Sequence, residues 1–412
     1  MRTLAVIGGG AAGVFCAAAL DGKNIRSEIF DAAEFPLQKV RQTGGGRCNF
    51  TNSRIVSSAN FGEFYPRGAN NMRKLVSKFD VDACRKAFER FGVRSKVEPD
   101  GRVFPESDSA DFLADKLINA ACQSGARFHQ KARAVSLKKH FDGFVVAFAD
   151  GSEFFADCVL VACGGVWNPQ LKMSLENLGH GFAPFAPSLF AMSLAEAGSP
   201  AWAELSGLSM PNVQIGVKIG KKNFSARGDI LFAHFGISGP ATLALSAFAA
   251  VELLEAKYSA DLFLRLFPDM PEDRISKEVE ALRNKRGASK IKNVSVLGIP
   301  SAAWLYLLKR AGINPDSLCS EIPGDAAKSL RRLLSEISLR ITGKPPHKGE
   351  FVTCGGIERK SIDFSTMESR LVKNLYFAGE CIDIDGITGG FNLHAAWATG
   401  AAAGGSLIEQ FL

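Results

Sequence analysis

The chain has 412 residues, too many for one hydrophobic core and suited to two or three domains. Hydrophobic residues make up 46% and charged residues 22%, which excludes a disordered or coiled-coil chain. The net charge of +7 is compatible with an acidic partner but too small to identify one. Nine cysteines, odd in number and scattered, give neither a disulfide framework nor a zinc-ligand spacing, so no metal is expected. Met1-Arg2-Thr3 precedes only four apolar residues, too few for an export signal. The most apolar later stretch, 240–256, is broken by Thr242, Ser246, Glu252 and Glu255 and cannot span a bilayer. A cytoplasmic protein is expected.

Taken in chain order, the first element is an apolar run of strand type, Leu4-Ala5-Val6-Ile7. Gly8-Gly9-Gly10-Ala11-Ala12-Gly13 follows, then a small, apolar helix through Leu20. This is G-x-G-x-x-G between strand and helix, the context that makes the motif informative. Gly8 permits the tight turn, Gly10 lets the backbone approach a pyrophosphate, and Gly13 allows the helix to lie close to the sheet. The helix N-terminus offers free N–H groups to phosphate. A second strand, 25–30, ends at Asp31, placed to accept hydrogen bonds from adenosine ribose hydroxyls.

Three later segments favour FAD over a nicotinamide dinucleotide as the resident cofactor. Thr43-Gly44-Gly45-Gly46-Arg47-Cys48-Asn49 is a loop that can run against a flat ligand. Residues 158–165 read as a buried strand ending in the pair Gly164-Gly165. Cys158 and Cys163 form a C-x4-C there, but five positions along a strand span about 16 Å and the side chains face opposite ways, so no redox disulfide is expected. Near the C-terminus a strand ends in Gly379-Glu380, followed by Asp383, Asp385, Gly386, Gly389, Gly390, Phe391 and Asn392 and an Ala-rich helix from about Leu393. A helix N-terminus there would stabilise negative charge on a reduced flavin. A cofactor touched by both ends of the chain is long, as FAD is.

Together the blocks GGGAAG (8–13), TGGGRCNFTN (43–52), LFAHFGISGP (231–240) and YFAGECIDIDGITGGFNLHAAWATG (376–400) resemble the HI0933-like, or YhiN-like, flavoproteins, a group that includes aminoacetone oxidase family and NAD(P)/FAD-dependent oxidoreductases. The resemblance implies an α/β fold: a Rossmann-like, glutathione-reductase-type FAD domain in two parts, 1–187 and 346–412. A β-rich domain (188–270) and a small helical one (271–345) would be inserted between them. Alternating Val213, Ile215, Val217 and Ile219 read as a strand. The pattern turns helical from about Pro271 to Arg286 and again over 325–341, and Pro345-Pro346 marks the return. The residues expected at FAD are Gly8, Gly10, Ala11, Ala12, Gly13, Asp31, Thr43, Gly44, Gly45, Gly46, Arg47, Asn49, Val135, Ala162, Gly164, Gly165, Gly379, Glu380, Asp383, Gly389, Gly390, Phe391, Asn392 and Leu393. The chain departs from the group twice: Ala162-Cys163-Gly164-Gly165 replaces the usual Ala-Thr-Gly, and His394 stands where Gln is frequent.

Catalytic residues are less legible, because flavin carries the electron chemistry itself. His234, ahead of Ser238-Gly239-Pro240, is the first candidate to face substrate; a hydrogen-bonded structural histidine is the alternative. Cys48 is a candidate proton donor or a packed thiol. Arg47 holds either an anionic group or a structural ion pair. His394 contacts the cofactor or packs, and Glu380 orders the ribityl and pyrophosphate region. No second G-x-G-x-x-G exists, so NAD(P)H is expected only as a transient donor. Two reactions fit: flavin-mediated hydride transfer with a small molecule (amine oxidation or enoyl-type reduction), or reduction of a uridine in structured ribosomal RNA. A flavin-binding protein without turnover is a third reading. Arg283, Lys285, Arg286, Lys290 and Lys292, with no acid between 283 and 293, form the candidate RNA surface, though stacking aromatics are sparse there.

Overall fold

The computed structural model describes residues 1–20, 24–165, 167–285, 287–294, 296–345 and 352–411. Contacts divide the chain into two units, Met1–Ala186 with Val352–Leu412, and Pro187–Phe351. The first unit is built on a five-stranded parallel sheet. Its elements are β1 (Arg2–Ile7), α1 (Ala11–Ala19), β2 (Ile25–Phe30), β3 (Arg127–His129), β4 (Cys158–Val161), β5 (Leu375–Phe377) and α2 (Phe391–Phe411). The strand order is β5-β4-β1-β2-β3, with Leu4 opposite Cys158, Val6 opposite Ile29, and Val159 opposite Leu375. Leu4, Ala5, Val6, Val159, Leu160 and Val161 are fully buried, as the unbroken apolar runs require of a parallel sheet covered on both faces. A three-stranded meander, Ala134–His140, Gly143–Phe148 and Glu153–Ala156, completes the glutathione-reductase-like plan. Helix α2 begins at Phe391, two residues before the sequence suggests.

The second unit is a closed six-stranded antiparallel barrel with helices. The strands, in order around the barrel, are Met192–Leu194, Gly236–Ser238, Lys222–Ala233, Ser209–Ile219, Ala260–Arg265 and Ile337–Gly343. Here the sequence reading of 325–341 as helical is corrected. The helix is Gly324–Ser335, and after Glu336 the strand Ile337–Gly343 closes the barrel. Ile337, Leu339 and Ile341 point inward while Ser338 and Arg340 point out, a period of two that the adjoining amphipathic helix obscures. Arg340 pairs directly across the strand with Asp261, 2.6 Å apart. The β-rich and helical stretches share one core, in which Val213, Ile215, Leu262 and Leu339 meet Trp304, Leu307 and Leu330. Among the described residues all nine cysteines are free thiols, no group of acids, histidines and cysteines has a metal-ligand arrangement, and no helix is long and apolar enough to cross a membrane.

Candidate functional site

The carboxyl ends of β1, β2, β4 and β5 meet at one edge of the parallel sheet, where open α/β sheets bind ligands. Gly8 leaves β1 at φ +114°, and a Cβ on it would lie 2.3 Å from the Ala162 carbonyl oxygen at the end of β4. A Cβ on Gly13 would lie 2.3 Å from the Gly8 oxygen and 2.8 Å from Val6. Both glycines are therefore demanded by packing. Gly10 is different, because nothing lies within 4 Å of the position a Cβ would take. It caps α1 without a side chain. Val14 is the first residue to bond back, to the Gly10 oxygen at 3.0 Å, so the N–H groups of Ala11, Ala12 and Gly13 have no intrahelical acceptor. Asp31 follows β2; its Oδ2 accepts the Gly9 N–H and its Oδ1 the Ala33 N–H, each at 2.7 Å. Two backbone donors thus aim this carboxylate along the glycine loop. The Ala132 N–H reaches the Asp31 oxygen at 2.8 Å, and half-buried Val135 lies three residues further on.

The second glycine loop is a tight turn over Thr43–Gly46. Gly44, Gly45 and Gly46 take φ of +59°, +69° and +87°, and the space beside Gly45 and Gly46 is open. Thr43 ties the turn to the preceding helix by donating its hydroxyl to Val40 at 2.7 Å. The Arg47 guanidinium is taken up by Glu98 at 2.6 Å and Asp108 at 2.7 Å and lies 4.0 Å over the Phe104 ring. Cys48 is fully buried with φ +60°, and burial pushes its thiol up to about 12. Such a thiol keeps its proton at neutral pH and packs. The Asn49 side chain accepts the Val103 N–H at 3.3 Å.

On the other side, Gly164 and Gly165 lie beneath Glu380. A Cβ on Gly165 would lie 2.9 Å from its Oε1, which accepts the Thr353 N–H at 3.0 Å, while Oε2 pairs with Lys39 at 3.1 Å. Gly379, at φ +77°, lies against Ala12 of α1. Asp383 is buried against Arg359 at 3.2 Å, and burial holds its carboxyl above the usual range. The loop that follows is closed by Asn392, which accepts the Gly386 N–H at 2.8 Å and donates to the Gly386 oxygen at 2.7 Å. Gly390 lies so close to the Thr51 oxygen that a Cβ would sit 2.6 Å away, and Asn52 donates to the Gly389 oxygen at 2.9 Å. The Phe391 carbonyl accepts the Tyr65 hydroxyl at 3.0 Å, and half-buried Leu393 lies in the first turn of α2.

His394 is wholly enclosed, between the Thr51 hydroxyl at 2.8 Å and the Phe79 carbonyl at 3.1 Å. The carbonyl can only accept, so Nε2 carries the proton and Nδ1 accepts from Thr51. Burial lowers the imidazole to about 4, leaving it neutral. It is a strut between α2 and its neighbours. Sequence reasoning missed several supports: Lys39, Thr51, Asn52, Tyr65 and Arg67, the last a two-pronged partner of the fully buried Asp385. The available signal was the acid itself, since a buried carboxylate within a motif requires a cation.

His234 belongs to the second unit, exposed in the turn between two barrel strands with its ring 5.1 Å from Phe235. Of the basic segment in that unit, Lys290 and Lys292 share Asp316 at 3.3 and 2.7 Å, an acid from outside the segment that the sequence count passed over. Their hydrogen bonds, that of Lys292 foremost, hold the Asp316 carboxyl below its usual range. Arg286 lies outside the described residues; Arg283 and Lys285 lie on the helix Glu272–Lys285.

The edge of the first unit fits a dinucleotide. It combines an uncompensated helix N-terminus, unfilled space at Gly10, Gly45 and Gly46, and a carboxylate at the end of β2. Comparison with known proteins agrees. The chain is 27% identical to a 3-dehydro-bile acid delta(4,6)-reductase of Clostridium scindens over the full length of both, and 26% identical to a ribosomal RNA dihydrouridine synthase of Escherichia coli, covering 98% of this chain and 97% of the relative. A 3-ketosteroid delta1-dehydrogenase from Sterolibacterium denitrificans shares the fold at TM-score 0.52 and 12% identity, with complete coverage of both chains. The model for the HI0933-like protein Rossmann domain matches residues 2–406. The chain therefore belongs to the HI0933-like family, a family of Rossmann-type FAD-binding oxidoreductases.

Proposed function

We propose that this protein is an FAD-dependent reductase that transfers a hydride to a carbon–carbon double bond conjugated with a carbonyl. The observation that carries the reading is the open space at Gly10 above an uncompensated helix N-terminus, facing the end of β2. The α1 amides of Ala11, Ala12 and Gly13 would hold the pyrophosphate, and Asp31 the adenosine ribose. Glu380 and the Gly164-Gly165 pair would order the ribityl chain. The α2 N-terminus and the Gly389-Gly390 loop would face the flavin, favouring negative charge on the reduced ring. FAD, when bound, would supply the hydride chemistry, with NAD(P)H proposed as its transient electron donor.

The substrate class is supported by the names of the relatives. A 3-dehydro-bile acid delta(4,6)-reductase and a dihydrouridine synthase act on different molecules, yet each name describes saturation of a bond conjugated to a carbonyl. Hydride adds to the carbon distal to the carbonyl and a proton to the proximal one. Cys48 is too enclosed to deliver that proton, so His234 remains the side chain proposed to face substrate. NADPH or NADH would enter and leave, since the chain offers one dinucleotide motif. The FAD-loaded enzyme, reduced anaerobically, should be reoxidised by a 4,6-unsaturated 3-oxo bile acid, and His234→Ala should slow that step while leaving reduction by NAD(P)H unchanged. Reoxidation by oxygen alone, with no effect of the enone or of uridine-containing rRNA, would contradict the reading.

The second reading, a uridine in ribosomal RNA as the substrate, is favoured by the Escherichia coli relative at 26% identity. Contacts of the basic segment with phosphates would release counterions, so affinity for an rRNA fragment should fall with salt at a log–log slope of several units. Reversing Arg283, Lys290 and Lys292 to Glu should abolish that binding and leave FAD content intact. RNA binding unchanged in the triple variant would remove the basic segment from the account.

A further inference from the structure

Around the second glycine loop and the α2 N-terminus, several cations are ion-paired. Arg41 pairs with Asp111 at 2.7 Å, Arg47 with Glu98, Arg102 with Asp100 at 2.6 Å, Lys96 with Asp108, and Arg67 with Asp385. Arg54 is not among them. Its side chain is exposed, and its guanidinium has no carboxylate partner among the described residues. It lies 4.5 Å above the Phe64 ring. Phe64 in turn stacks on Phe391 with centroids 4.6 Å apart and planes 16° from parallel. Both rings are buried, so the guanidinium caps a rigid column whose foot is the first residue of α2.

A second tie fixes the same residue to the same place. The Arg54 N–H donates to Asn52 Oδ1 at 3.0 Å, and the other end of that amide donates to the Gly389 oxygen at 2.9 Å. Main chain and side chain of Arg54 are thus each linked, through one intermediary, to the loop proposed to face the flavin. A planar cation held by an aromatic face keeps its five N–H donors for an outside acceptor and loses little freedom when it meets one.

We infer that Arg54 is a substrate-recognition residue, which binds an oxyanion carried by the substrate, a carboxylate or a phosphodiester, at the rim of the flavin loop. This rests on the reading of that loop as the flavin site. The two chemistries come from different sources, and direct binding separates them. Cholate, its methyl ester, and an rRNA stem-loop containing uridine are titrated calorimetrically into the FAD-loaded wild type, Arg54→Gln, Arg54→Met and Arg54→Lys. Either cholate or the stem-loop should bind the wild type and weaken at least tenfold in Arg54→Gln and Arg54→Met, with Arg54→Lys between. Affinity for the methyl ester should be the same in all four proteins, and FAD content should match the wild type. Raising the salt should weaken only the charge-dependent part. Equal affinity of wild type and Arg54→Gln for whichever oxyanion probe binds, or binding of neither probe to the wild type, would overturn the inference. Oxyanion binding that depends on Arg54 in an enzyme whose reduced form ignores conjugated enones would instead sink the proposed reaction and leave the oxyanion site standing.

Discussion

Single residues carry two sharp expectations. Gly10 is the one glycine of the first motif whose missing side chain leaves empty space, so Gly10→Val should fold normally and fill the position proposed for the pyrophosphate. The purified variant should be colourless, with a melting temperature like that of wild-type apoprotein; a yellow Gly10→Val protein holding stoichiometric FAD would place the phosphate elsewhere. His394 gives a pH signature. Its imidazole ordinarily titrates at 6.5 and is lowered to about 4 by burial, so below about pH 6.5 the unfolded chain takes up a proton that the folded one refuses. Stability contributed by the neutral ring is complete above pH 6.5 and drains away as pH falls toward 4, by roughly 3 kcal/mol in all at 1.36 kcal/mol per unit. His394→Gln should flatten that part of the pH profile in denaturant melts between pH 7 and 4.5. A variant as acid-sensitive as the wild type would assign the loss to other groups.

At the scale of elements, helix α1 and the C-terminal helix α2 lie close because small residues face one another. A Cβ on Gly400 would stand 2.6 Å from the Ala12 carbonyl oxygen, whereas Gly405, five residues on and on another face of the helix, has nothing within 4 Å. Gly400→Val should push α2 off α1, costing about 2 to 3 kcal/mol as an overpacked contact does, and weaken FAD retention by shifting the α1 N-terminus. Gly405→Ala should be neutral or gain up to about 1 kcal/mol from helix propensity. Thermal melts of both apoproteins and holoproteins check the contrast. This contact also shows what the sequence made legible. The strand–glycine–helix pattern at residues 4–20 and the Gly-rich run before Phe391 announce themselves locally, because turn geometry and close approach demand glycine in sequence. The strut from His394 to Thr51, the Arg67–Asp385 pair and the strand Ile337–Gly343 were hidden, since each depends on a partner more than seventy residues away or on a period masked by the adjoining helix.

At the scale of the molecule, one Rossmann-type unit provides the dinucleotide edge, and a separate unit of barrel and helices provides His234 and the basic segment. With a single dinucleotide motif, purified protein should carry FAD and no stoichiometric nicotinamide; a tightly held NADP would require a second site. The basic segment lies outside the unit that carries the dinucleotide edge, so its charge reversal should weaken RNA binding and leave FAD content unchanged. In the proposed reaction the bound flavin would return its electrons to a conjugated double bond. Its most direct test is anaerobic stopped-flow mixing of the NADPH-reduced enzyme with a 4,6-unsaturated 3-oxo bile acid and, separately, with uridine-containing rRNA. The oxidised-flavin spectrum should return with one of them, at a rate that rises with its concentration and with one equivalent of product reduced at a single double bond. A flavin that stays reduced with both, yet reoxidises with oxygen, would contradict it.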